Sequence, residues 1–137
     1  LGVEFAPFEE VLRQADFLTL HTPLTEATRG MMNGGTLALM KQGAYLVNAS
    51  RGEVVEIDAL ARSITSGRIA GAALDVFADE PFPADHPLLA MPEVIVSPHM
   101  ASHSRDSMVR MALVAEDVAR VLIGQEPLHP VGTGTVS

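Results

Sequence analysis

The chain has 137 residues, enough for one modest domain, and its apolar fraction of 47% with a positive mean hydropathy excludes a disordered polar polymer. Its 17 acidic residues outnumber 9 scattered basic ones for a net charge of -8, which argues against a nucleic-acid surface, and the absence of cysteine removes disulfides, thiol catalysis and Cys-based zinc sites. No apolar run approaches the ~20 residues of a membrane span, and no signal-peptide pattern opens the chain, which predicts a soluble, cytoplasmic protein.

A short apolar piece, Val3 to Phe5, comes first. The run PFEEVLRQA then opens on Pro7 with acids in its first turn and sets Phe8, Val11, Leu12 and Ala15 on one helical face. DFLTLHTP is a compact β-type run halted by Pro23. GGTLALMKQG reads as a short helix closed by Gly43, followed by the strand AYLVNAS. In EIDALARSITSG, Ile57, Leu60, Ala61 and Ile64 keep helical spacing, and Gly67 is the stop signal. IAGAALDVF and EVIVSP are two further strands. A long helix is expected from Ser104 to Ile123, turning Met108, Met111, Ala112, Ala115, Val118, Ala119 and Leu122 toward a core, with Gly124 ending it. The tail HPVGTGTVS reads as coil.

Strands alternate with helices, and the strands are nearly continuous apolar runs. This predicts an α/β fold with a parallel sheet covered on both faces. Ligands of such sheets bind outside the carboxyl ends of the strands, so the strand ends locate the candidate site. They carry His21-Thr22-Pro23, then Asn48 to Gly52 around Arg51, then Asp75 with Asp79-Glu80-Pro81, then Pro98-His99. Taken singly, each has a plain alternative. Arg51 could be a solvated loop residue, Asp75 a cap or a partner for a Lys, Glu80 a turn residue and His99 a satisfied core histidine. Asn48, Ser50 and Gly52 suit a tight turn where backbone approaches a ligand. His99 and His103 are four apart, but Pro98 disfavours helix there, and no metal site is expected.

Taken together, an Arg, a carboxylate and a His are the parts needed to reduce a 2-oxo acid. A guanidinium grips a carboxylate in bidentate fashion, and a His held by a carboxylate delivers or accepts a proton near neutral pH. The hydride must come from a cofactor, because no side chain supplies one.

The segments DFLTLHTP, LVNASRG, AALDVFADEP and VIVSPHMASHS, in this order and spacing, resemble the NAD-dependent D-isomer-specific 2-hydroxyacid dehydrogenases, the family of phosphoglycerate, glycerate/hydroxypyruvate and D-lactate dehydrogenases. The resemblance implies the C-terminal part of a Rossmann-type doubly wound sheet over residues 1–103. Residues 104–137 would form an interdomain helix and a tail returning to the substrate domain. It implies that Arg51 binds the substrate carboxylate, that Glu80 partners the histidine and that His99 is the acid/base. Thr22, Pro23, Ala49, Ser50, Arg51 and the turn His99, Ala101, Ser102 would line the NAD pocket, and Asp75 would hold the nicotinamide carboxamide. A homodimer acting on a small 2-oxo or 2-hydroxy acid is the implied assembly. An alternative of another class is an NAD(H)-sensing, corepressor-like module of the same fold.

Glu53 stands where the family commonly has a small residue or Pro, and HMAS replaces a more usual Ile-Ala/Gly-Gly run; neither removes a catalytic group. The G-x-G-x-x-G turn that cradles the pyrophosphate is not found in these residues, nor is the acidic residue that reads the ribose. The chain is therefore expected to be the C-terminal portion of a longer enzyme. NAD versus NADP stays open, and the strand from Phe17 to His21 should show a bare edge in isolation or borrow a partner from another chain.

Overall fold

A computed structural model describes residues 2–130. The chain divides into two compact units between Ala101 and Ser102. In the first unit the order is α1 (Phe8–Gln14), β1 (Phe17–Leu20), α2 (Gly34–Leu39), β2 (Ala44–Asn48), α3 (Ile57–Thr65), β3 (Ile69–Leu74) and β4 (Val94–Val96). Two 3-10 turns, Gly52–Val54 and Pro87–Ala90, were not foreseen from the sequence.

The four strands form one parallel sheet in the order β1-β2-β3-β4, an α/β arrangement of Rossmann type. Leu18, Leu20, Leu46, Ile69 and Leu74 from the sheet meet Leu12, Leu37, Leu60 and Ile64 from the three helices in a single core. Burying each such side chain contributes about 1.5–3 kcal/mol. The helices start and stop for local reasons. Asn33 caps α2, its Oδ1 accepting from Gly35 N at 2.9 Å and Thr36 N at 3.2 Å, while the Thr36 hydroxyl accepts from Asn33 N. In α3 the spaced apolar residues face the core, and Gly67, at φ 69°, turns the chain back toward β3.

Only one face of the sheet is covered among the described residues. Strands laid down in consecutive order with right-handed crossovers place every connection on the same side. The other face carries Phe17 stacked on Tyr45, ring centres 5.1 Å apart, and exposes Phe17 and Ile95. β1 pairs with β2 alone among the described residues. Val3 to Phe5 form no strand, and both end residues are exposed: with no neighbouring strand, a three-residue apolar piece has no ladder to join.

The second unit corrects the single long helix. It contains α4 (Arg105–Ala112) and α5 (Val114–Leu122), separated at Leu113. There Leu113 N bonds to Arg110 O and Glu116 N to Leu113 O, i→i−3 contacts that tighten the turn and break the α ladder. The Ser104 hydroxyl caps α4 by accepting from Ser107 N at 3.1 Å, and Gly124 follows α5 with φ 76°. None of the apolar residues expected to face a core is buried among the described residues. No helix of the described residues is long and apolar enough to cross a membrane. The expected coil of the tail falls mostly on 131–137, outside the described residues.

Candidate active site

Parallel pairing brings the carboxyl ends of β1 to β4 onto one rim. At ~4.8 Å per strand, the ends of β2 and β4 lie ~10 Å apart, a span that two facing side chains can bridge through a small molecule.

Beyond β2, Asn48 is buried, and its side chain shapes the loop that presents Arg51. Its Oδ1 accepts from Ser50 N at 3.0 Å and from Ser50 Oγ at 2.8 Å, while Nδ2 donates to Arg51 O at 2.9 Å. Arg51 is exposed, and among the described residues its guanidinium hydrogen-bonds only to the Ser50 carbonyl, which leaves most of its five donors available there. Arg51 shares a cleft of about 290 Å³ with Thr22, Pro23, Ala49 and Ser50. Five of the residues expected to line the NAD pocket thus meet in one place.

The next residue, Gly52, is buried and packs closely on the loop after β3. A Cβ there would stand 1.9 Å from the carbonyl carbon of Phe77 and 2.3 Å from Ala78 N. No side chain fits, so the Arg51 loop and the loop after β3 rest directly on one another. That second loop carries Glu80, and Phe77 N donates to Glu80 Oε1 at 3.3 Å.

His99 follows β4. Its Nδ1 lies 3.0 Å from Glu80 Oε2 and 3.1 Å from Oε1. An ionised carboxylate only accepts, so Nδ1 carries the proton and Nε2 is left with no partner among the described residues. The pair is open to solvent, the His99 and Glu80 side chains being 51% and 43% exposed. It borders a largely apolar hollow of about 390 Å³ lined by Phe77, Phe82, Leu89 and Val96. The hydrogen bond from His99 holds the Glu80 carboxyl below its ordinary value of 4.5, and the Phe77 N–H adds to the effect. Arg51 and His99 therefore share the rim but line separate cavities.

Asp75 plays a part the sequence did not reveal. Buried at the end of β3, its Oδ1 accepts from the Ser97 hydroxyl and from Met100 N at 2.9 Å, and its Oδ2 accepts from Ala101 N at 2.8 Å. Burial alone would raise this carboxyl; the Ser97 hydroxyl, the two amides and the nearby His99 charge outweigh it, so it titrates below its ordinary 3.8. These bonds shape the turn that holds His99 at φ 51°. A left-handed backbone at a non-glycine residue costs about 1–2 kcal/mol, which the surrounding hydrogen bonds offset. The Ala101 amide is engaged inside the protein, and Ser102 falls in the second unit.

The polar lining of the cleft of about 290 Å³, Thr22, Ser50 and the Arg51 guanidinium, is compatible with part of a dinucleotide, and its volume is too small for a whole one.

Residues 1–101 match the family model described as D-isomer specific 2-hydroxyacid dehydrogenase, NAD binding domain. The chain is 48% identical over 137 residues to a glyoxylate reductase of Korarchaeum cryptofilum, covering 99% of this chain and 41% of that protein. It is 42% identical over 125 residues to D-3-phosphoglycerate dehydrogenase of Bacillus subtilis, covering 90% of this chain and 24% of that one. Its fold superposes with a TM-score of 0.83 and 36% identity on the crystal structure of D-lactate dehydrogenase with NAD+ from Lactobacillus jensenii, over 93% of this chain and 42% of that one. The chain spans about two fifths or less of the curated relatives just named. The matched motifs, the parallel sheet and the shared strand-end rim agree: this chain belongs to the D-isomer specific 2-hydroxyacid dehydrogenase family, in its NAD-binding domain.

Proposed function

We propose that the full-length protein is a cytoplasmic oxidoreductase that transfers hydride between NAD(H) and a small 2-hydroxy or 2-oxo acid, of the phosphoglycerate or hydroxypyruvate dehydrogenase type. The observation that carries this reading is the His99–Glu80 pair. Its Nδ1 is tied to a carboxylate and its Nε2 is open, on the rim that also presents Arg51.

Arg51 grips the substrate carboxylate with two parallel N–H donors and fixes the acid in one orientation. His99 Nε2 faces the substrate oxygen at C2. In the reductive direction it delivers a proton there, and in the oxidative direction it removes the hydroxyl proton. Glu80 keeps the ring in the tautomer that leaves Nε2 free and favours the imidazolium form that acts as acid. The hydride given to or taken from the substrate C2 would be supplied by a bound nicotinamide cofactor. Thr22, Pro23, Ala49, Ser50 and Arg51 and the turn residues His99, Ala101 and Ser102 would line the NAD pocket, and Asp75 would accept from the nicotinamide carboxamide.

Residues 104–137 are proposed to belong with the substrate domain, and a homodimer is the proposed assembly. The apolar side chains exposed along α4 and α5, Met108, Met111, Val118 and Val121, support an interface there. Light scattering on the full-length protein tests the assembly.

The activity is tested by following NADH and NADPH absorbance with glyoxylate, hydroxypyruvate, pyruvate and phosphohydroxypyruvate. Reduction of at least one is expected, with a preference between the two cofactors. Cofactor binding without turnover of any 2-oxo acid would contradict the enzyme and favour a regulatory module.

A further inference from the structure

We propose that Ser97 is a positioning residue for His99, acting through the Asp75 carboxylate. The inference rests on the reading of His99 as the acid/base.

Ser97 closes β4, and its hydroxyl donates to Asp75 Oδ1 rather than to anything on the histidine ring. The same oxygen accepts Met100 N at 2.9 Å, and its partner Oδ2 accepts Ala101 N at 2.8 Å. These amides belong to the two residues immediately after His99. The amide of His99 itself donates to the carbonyls of Asp75 at 2.8 Å and Ser97 at 3.1 Å. Both ends of the left-handed turn at His99 are thus held by two residues, Asp75 and Ser97. Glu80 holds the ring; this second set of bonds holds the backbone from which the ring projects.

The hydroxyl matters because the last torsion of an aspartate side chain is soft and nearly two-fold. Two amides arriving from one flexible turn do not by themselves fix the rotation of the carboxylate. The hydroxyl, arriving from the rigid end of β4, sets it from the other side. Without it the carboxylate rotates and the turn follows. The imidazole then shifts relative to Glu80 and to the substrate oxygen, and a displacement of ~1 Å costs up to about 10²-fold in rate. The Ser97 hydroxyl bonds to Asp75 and not to the imidazole, and Ser97 does not line the Arg51 cleft, so its removal reaches His99 through the turn.

The test compares Ser97→Ala and Ser97→Thr in the full-length protein. Ser97→Ala is expected to lower kcat about tenfold or more, and to weaken NAD(H) binding as well, because the Asp75 carboxylate it frees is also the proposed acceptor for the nicotinamide carboxamide. Ser97→Thr, which keeps a hydroxyl, should return to within about threefold of wild type. Independently of activity, amide exchange at Met100 and Ala101 should quicken at least tenfold in Ser97→Ala and not in Ser97→Thr. Unchanged kcat and unchanged exchange in Ser97→Ala would overturn the inference. So would a threonine variant as impaired as the alanine one, which would point to packing. A wild-type protein that reduces no 2-oxo acid would remove the reading of His99 and this inference with it. An active wild type with an unaffected Ser97→Ala removes this inference alone.

Discussion

Two histidines of the first unit each face a carboxylate, and they are not equivalent. His86 lies 3.3 Å from Asp58 Oδ1 through Nε2, while its Nδ1 accepts the Leu88 amide at 3.2 Å and caps the 3-10 turn Pro87–Ala90. Its side chain is only 17% exposed and leans on Phe82, ring centres 4.9 Å apart. Both nitrogens are occupied, so the ring is a structural bracket between that turn and α3. His99 turns the same chemistry round. Glu80 takes Nδ1, nothing among the described residues takes Nε2, and half of the side chain faces solvent. A carboxylate beside a histidine is therefore not enough to mark an acid/base; the second nitrogen must be free and reachable.

The sharpest way to break this distinction is substitution of the two rings. His99→Ala is expected to cut turnover about 10²–10⁴-fold while leaving stability within about 0.5 kcal/mol, since the side chain is exposed. His86→Ala should do the reverse: turnover within about threefold of wild type, with a loss of about 1 kcal/mol from the cap and the half-buried ring. Chemical denaturation alongside initial rates checks both.

Gly52 probes whether the Arg51 side and the His99 side are mechanically joined. Gly52→Ala must push the Phe77–Ala78 backbone away, at a cost of about 1–3 kcal/mol, and displace the loop that carries Glu80. Combined with Glu80→Gln, the two losses in turnover should be strongly non-additive, because both act on one hydrogen bond. Additive losses would separate the two loops.

The smallest effect expected is on acid stability. Asp75 and Glu80 both titrate below their ordinary values in the fold, so their ionised forms stabilise it above the unfolded-state values. That contribution is lost as pH falls through 4.5 and 3.8 and below. Thermal midpoints should be flat above about pH 5 and fall beneath it. Asp75→Asn should start lower at neutral pH and show a shallower acid decline; an unchanged decline would count against the Asp75 hydrogen bonds.

Much of this was readable from residue order. Strands bounded by Pro23, Gly43 and Gly67, and the spacing of Ile57, Leu60 and Ile64, follow from local chemistry and appear where expected. The Glu80–His99 pairing came through resemblance, and the geometry brings those two side chains together. What escaped the sequence is contact at a distance. Gly52 suits a tight turn, and nothing local announces that it also rests on Phe77, twenty-five positions on. Asp75 looked like a ligand contact, yet most of its acceptor capacity shapes the His99 turn, because nothing local marks Ser97, Met100 and Ala101 as its donors. The helix expected from Ser104 to Ile123 breaks at Leu113, where no Gly or Pro announces the tighter turn.

The decisive measurement is steady-state reduction of a 2-oxo acid by full-length wild type, His99→Ala and His86→Ala, with cofactor affinity measured in parallel by calorimetry. The free Nε2 of His99 requires turnover to collapse in His99→Ala with cofactor affinity retained, and to persist in His86→Ala. Equal turnover in wild type and His99→Ala would contradict the assignment of His99 as the acid/base.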